Sequence, residues 1–214
     1  MQDAVKRDYC SVVRAEQASA TRRTIVAAAA RLFTENGFGA TTIDAVAQAA
    51  GVSRKTVFTA VGGKVDLLKI ALDWAVAGDD LPVALADRDI LRELLEQSDA
   101  RILLTGWAQL QAEIGARVAA LVQALEVAAE TDGEARLLLA QVQEQRLDGA
   151  RGIVKRVRKL GALTADLTVA EAVDLAWLAT DAALFDRLVR VRGWSTGRFG
   201  EWLGESLCRQ LVRG

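Results

Sequence analysis

The chain has 214 residues, 51% of them hydrophobic, with 27 Lys and Arg against 28 Asp and Glu, one proline and no histidine. That length buries a good core in one small and one medium domain, and the prevalence of Ala, Leu, Val, Arg and Glu favours helix almost throughout. Without imidazole, histidine-based acid–base or nucleophilic catalysis and most zinc sites are excluded, so the chain is expected to be no enzyme and to hold no metal or cofactor.

The opening MQDAVKRDYC is charged and no apolar stretch follows it, so it does not read as a signal peptide. No uninterrupted apolar run is long enough for a membrane span, and a cytoplasmic protein without membrane contact is expected. Cys10 and Cys208 stand at opposite ends, outside any metal-binding or CxxC spacing, and read as reduced thiols. Residues 1–18 are polar and mixed and read as a flexible arm. A helix is expected after Thr21, with Ile25, Ala28, Ala29, Leu32 and Phe33 on one face, stopped by Asn36-Gly37.

Thr41 to Val61, TTIDAVAQAAGVSRKTVFTAV, is the most informative stretch. It reads as a short capped helix, a turn centred on Gly51, and a second short helix capped by Ser53 with Arg54, Lys55 and Thr56 in its first turn. Thr41 is placed as the first cap, with Asp44 as its capping-box partner. Such a pair sets one helix across a DNA backbone and the next in the major groove. Charge agrees: residues 1–70 carry a net +4 and residues 71–214 a net −5, a basic head on an acidic body.

After Gly62-Gly63 a fourth helix is expected over Lys64–Ala77, apolar on two sides and suited to act as a lever behind the head. Gly78 to Asp89 reads as a linker, followed by a brief helix. One from about Asp99 carries Leu103, Trp107, Leu110 and Ile114, and Gly115 is expected to break it before Val118, Leu121 and Leu125 continue on another. Thr131-Asp132-Gly133 ends that element. A long helix is expected over Glu134–Leu160, then one capped by Thr168 and running to about Arg192, then a last one over Thr196–Val212. The last two are apolar on more than one face and form the candidate interface of a homodimer.

The stretch RRTIVAAAARLFTENGFGATTIDAVAQAAGVS, resumed by KVDLL from Lys64, resembles the DNA-binding domain of the TetR family of bacterial transcriptional regulators. GWSTGRFGEWLGESL from Gly193 is similar to the last helix of many members. The resemblance implies an all-α protein: a three-helix head with a helix-turn-helix over residues 19–66, then a larger helical effector-binding and dimerisation domain over 67–214. It further implies DNA contacts from Thr41 or Thr42, Ser53, Arg54, Lys55, Thr56, Phe58, Thr59 and Lys64, with Val57 and Val61 facing the core. Members commonly have Tyr where Phe58 stands, and His or Tyr at Ala60, so two backbone contacts are expected to be missing here.

An effector pocket in the second domain is implied by the resemblance and by apolar faces interrupted by polar groups. Its candidate lining is Trp74, Trp107, Leu110, Arg146 and Trp177. Arg146 lies on an apolar stripe and needs a partner, for which Asp174 or Asp181 is available. The expected partners are a double-stranded DNA operator and a small-molecule effector, with repression of an inverted-repeat site by a dimer as the reading. A DNA-binding protein without small-molecule control and a helical scaffold are the alternatives.

Overall fold

The structure, a computed structural model, describes residues 2–213 except Pro82 and Ala84, with side chains described from Ala15 onward save that of Ala86. Ten α-helices and no strand occur among the described residues. The chain divides into two compact units, the first ending at Asp73 and the second beginning at Trp74. The division falls inside the helix Lys64–Ala77.

In the first unit, α1 spans Gln2–Ala40. It begins well ahead of Thr21, over residues expected to form a flexible arm; that stretch holds no glycine or proline, so nothing local stops the helix. Cys10 lies among the side chains outside the described ones. Gly37 leaves helical geometry (φ 74°), the expected stop, although three more residues keep helical bonding beyond it. α2 spans Ile43–Ala50, α3 Arg54–Ala60 and α4 Lys64–Ala77. The core of this unit is Ile25, Val26, Ala29, Phe33, Val46, Val57, Leu67 and Leu68, each almost wholly buried.

In the second unit a short 3-10 turn, Leu85–Asp87, precedes α5 (Asp89–Glu96). Then come α6 (Ala100–Thr131), α7 (Gly133–Lys159), α8 (Val169–Ala179), α9 (Ala182–Phe185), a π-helical turn (Asp186–Val191) and α10 (Thr196–Leu211). Capping residues set most of these starts: Asp99, Asp132, Asp181 and Ser195 each accept from backbone N–H groups, and Thr168 with Glu171 forms a full capping box. The break at Thr180-Asp181 corrects the single helix expected to reach Arg192. Asp181 takes the Ala183 N–H at 2.8 Å and restarts the chain as α9.

α6 is the centre of this unit, packed by α10, α7 and α9. Gly115 does not break it. A Cβ there would lie 2.8 Å from the Phe185 ring, so the glycine is a place of close approach rather than a stop. α10 also comes close through Gly204, where a Cβ would lie 3.2 Å from the Thr105 backbone. Leu103, Leu104, Trp107, Ile153, Val157, Phe199, Leu203 and Leu211 fill the surrounding core. Cys208 is a free thiol in the same core, and burial pushes its pKa up, which keeps it unreactive. No described helix is long and apolar enough to cross a membrane.

Two effects compete at Gly115. Alanine gains about 1 kcal/mol of helix propensity, while overpacking against a buried ring costs ~1–3 kcal/mol. Gly115→Ala is therefore expected to lower the urea midpoint, and Gly149→Ala, where a Cβ meets nothing within 4 Å, to raise it. A stabilised Gly115→Ala variant would show that Phe185 yields freely.

Candidate DNA interface and effector-domain sites

The turn between α2 and α3 is built from local chemistry. Thr42 caps α2, its hydroxyl accepting the Ala45 N–H at 3.1 Å. Gly51 takes φ 67°, a left-handed conformation that costs little only without a side chain, and its N–H returns to the Ala47 and Gln48 carbonyls. Ser53 caps α3 by accepting the Thr56 N–H at 3.1 Å. Val57 is fully buried, which rotates Lys55 and Thr59 to the opposite, exposed side at about 100° per residue. Arg54 and Phe58 flank them, and the Phe58 ring is 47% exposed.

Thr41 departs from expectation. Its side chain is 2% exposed, and its hydroxyl is placed to donate to the Gly37 carbonyl at 2.8 Å, with the Leu32 carbonyl at 3.1 Å. It closes the end of α1 instead of capping α2, so its hydroxyl is not available to a phosphate. Asp44 likewise makes no capping box; its carboxylate takes the Arg54 guanidinium at 2.8 Å. Arg54 also lies 5.6 Å from the Phe58 ring centroid. This pair is not legible in the sequence, because its members lie ten positions apart across a turn.

Lys64 projects back to the end of α1, its ammonium 4.1 Å from the Phe38 ring centroid and 3.4 Å from the Gly39 carbonyl. Thr56 shares a 2.7 Å hydrogen bond with Ser53, and Thr59 donates to the Lys55 carbonyl at 2.9 Å. Lys55 is exposed and enters no ion pair among the described residues. Arg22 is exposed, and Arg23, also exposed, donates to Ser19 at 3.1 Å.

In the second unit the five expected pocket residues do not converge. Trp107 is 2% exposed and belongs to the core around α6. Trp74 is half-buried on α4. Leu110 lines an open groove between α5 and α6 of about 270 Å³, together with Glu93, Gln97, Gln109 and Glu113. A second hollow of about 150 Å³ lies between α8, α9 and α10, lined by Leu175, Leu184, Trp202 and Leu207.

Arg146 and Trp177 do come together. The guanidinium lies 5.2 Å from the indole centroid and donates to the Trp177 carbonyl (3.2 Å), Thr180 (3.2 Å) and Gln143 (2.9 Å). Of the two carboxylates expected as partners it meets Asp181, at 3.7 Å. Burial of the guanidinium disfavours its charge, and Asp181 and Glu126 offset part of that cost. Glu126 was not expected here; nothing in its own helix marks it. Arg117 was missed for the same reason: it donates to the Ala75 carbonyl at 2.6 Å and the Val76 carbonyl at 3.3 Å, closing the C-terminal end of α4.

Residues 25–70 match the model of "Bacterial regulatory proteins, tetR family". No curated protein matches the sequence. Among solved structures, a putative transcriptional regulator from Saccharomonospora viridis in complex with choline is 22% identical over 92% of this chain and 100% of its own, with a TM-score of 0.69. The fatty acid degradation regulator FadR from Bacillus halodurans is 16% identical over 87% and 94%, with a TM-score of 0.69. NalD, the secondary repressor of the MexAB-OprM multidrug efflux pump in Pseudomonas aeruginosa, is 22% identical over 91% and 98%, with a TM-score of 0.64. At these identities the likeness carries the fold.

Partial burial, then the neighbouring Asp181 carboxylate, raise the Glu126 pKa above its ordinary value, and Arg146 only partly opposes them. A raised folded-state pKa means that this group's contribution to stability is complete below the unfolded pKa and is lost as pH rises through the folded one. Glu126→Gln, which fixes the neutral form, should therefore raise the Tm at about pH 8, with the gain shrinking as pH falls through the carboxylate range. A Tm gain independent of pH would remove the electrostatic explanation.

Proposed function

We propose that this chain, a member of the TetR family of bacterial transcriptional regulators, is a non-enzymatic, ligand-responsive repressor that binds an inverted-repeat operator as a homodimer. The observation that carries the reading is the outward side of α3, where Lys55 and Thr59 lie opposite a fully buried Val57. A capped helix so presented fits the major groove, with Lys55 and Thr59 toward base edges and Thr42 and Ser53 near phosphates. Arg54 is shared between DNA and Asp44, and Phe58 supplies apolar contact where a phenol would donate. Lys64 supplies a further phosphate contact.

Two such heads read half-sites about one turn of DNA, ~34–36 Å, apart. The dimer forms through α8 and α10, whose outer faces leave Leu178 53% exposed beside the hollow lined by Leu175, Leu184 and Trp202. Effectors enter the second unit on this reading, and the choline complex of the Saccharomonospora viridis regulator supports small-molecule binding in this fold. A ligand that favours the state with the wrong head spacing by ~1–3 kcal/mol is enough to release DNA. α4 carries that change, since Arg117 ties its last carbonyls to α6.

Selection of bound DNA from a random pool should return a palindrome. Lys55→Ala should weaken binding to it. Lys64→Ala should weaken binding also and flatten the salt dependence by about 0.9 in log–log slope, one phosphate's worth, while Asp44→Ala, which releases Arg54 and removes a negative charge, should tighten it. Gel-shift titration across salt concentrations tests all three, and unchanged affinity in both lysine variants would sink the contact assignment. Leu178→Glu should yield monomers by analytical ultracentrifugation with loss of operator binding; a dimer that survives it uses another face.

A further inference from the structure

The groove between α5 and α6 has an unusual electrical character. α5 buries none of its residues. It is held by Leu94, which sits where a Cβ on Gly106 would come within 2.6 Å, and by Arg156, which donates to the Gln97 carbonyl at 2.7 Å and the Glu96 carbonyl at 3.4 Å. Beside these supports the two helices leave a space of about 270 Å³ with an apolar floor at Leu94 and Leu110. Its polar rim is Glu93, Gln97 and Glu113, while Gln109 lines it with its stem and sets its amide against Gly200 of α10, and no cationic or aromatic side chain lines it.

The carboxylates are not neutralised from within. The α5 arginine Arg92 pairs with Asp89, and Arg88, just ahead of α5, pairs with Asp79. Neither Glu93 nor Glu113 forms an ion pair or side-chain hydrogen bond among the described residues. Two carboxylates facing an apolar-floored space attract a cation that carries its own apolar body.

We infer that this groove binds a small organic cation with N–H donors, such as a protonated alkylamine, and that it is the effector site of the proposed regulator. The N–H requirement follows from the rim: carboxylate and amide oxygens accept hydrogen bonds, whereas a quaternary ammonium is held by aromatic faces, which the groove lacks. The size sets the ligand at the small end, since the space is just below the ~300–1,000 Å³ of typical small-molecule sites. The effector role rests on the repressor reading; the binding does not.

Calorimetric titration of the full chain with octylamine, octyltrimethylammonium, octanol and octanoate, which share one tail, isolates the head group. Octylamine should bind at least ~10-fold more tightly than any of the other three, and Glu93→Gln or Glu113→Gln should each weaken it ~3–10-fold while leaving octanol unchanged. Far-UV circular dichroism checks that both variants fold. Absent octylamine binding, equal binding of octanoate or octyltrimethylammonium, or binding indifferent to both glutamine variants would each overturn the inference. Operator release by octylamine separates the two proposals. Glutamate-dependent binding without release keeps the groove and removes its effector role; release that persists in both variants removes the groove and keeps the repressor.

Discussion

The burial of one broad face of α6 along its whole length is the constraint from which the second unit follows. A helix with Leu103, Leu104, Trp107, Ala108, Ala112 and Leu125 all enclosed needs neighbours around it, and those neighbours must come close. Glycine makes the approach possible on both partners: Gly115 on α6 admits Phe185, and Gly204 on α10 admits the α6 backbone at Thr105. Packing this dense forces polar chemistry to the margins of the helix. Glu126 lies in the field of the Arg146–Asp181 pair there, Glu113 borders the groove under α5, and Arg117 reaches the carbonyls that end α4.

The head is limited by charge rather than by packing. It carries a net +4 over residues 1–70, yet part of that charge already has partners within the protein. Arg54 is shared with Asp44, Arg31 pairs with Glu35, and Lys64 lies over Phe38. On the proposed DNA-binding reading each such contact competes with a phosphate, so the counterions released would be fewer than the count of basic residues implies. Lys55, opposite the buried Val57 and outside these pairs, would then carry a disproportionate share of the electrostatic attraction.

Local chemistry was legible in the sequence and long-range chemistry was not. Gly51 and Ser53 act as expected because a left-handed turn and an N-cap are decided within four residues. Thr41 and Thr42 were harder, since either could cap α2; what separates them is that Thr41 reaches Leu32 and Gly37, contacts set by folding. Gly115 was misread for a similar reason. Glycine marks both helix ends and close crossings, and only the partner, seventy positions away at Phe185, tells them apart. The tryptophans expected to share a pocket are divided between core and edge, because a large apolar residue at helical spacing signals burial without naming what it is buried against. The α5–α6 groove arises from two helices neither of which is informative alone.

Within the second unit, Arg117 ties the end of α4 to α6. Arg117 makes two charge-assisted hydrogen bonds to the last carbonyls of α4, where the partial negative charge of the helix end also favours a cation. Such bonds contribute ~1.5–3 kcal/mol when shielded, and less here because Arg117 is exposed. What remains is of the same order as the ~1–3 kcal/mol coupling that the proposed ligand-controlled release of DNA requires. On that proposal, a shift of α6 that stretches these bonds would supply energy on the scale of the response, without any rearrangement of the buried core. The edge of α6, not its centre, is where the proposed ligand would have leverage, and the groove under α5 opens on that edge.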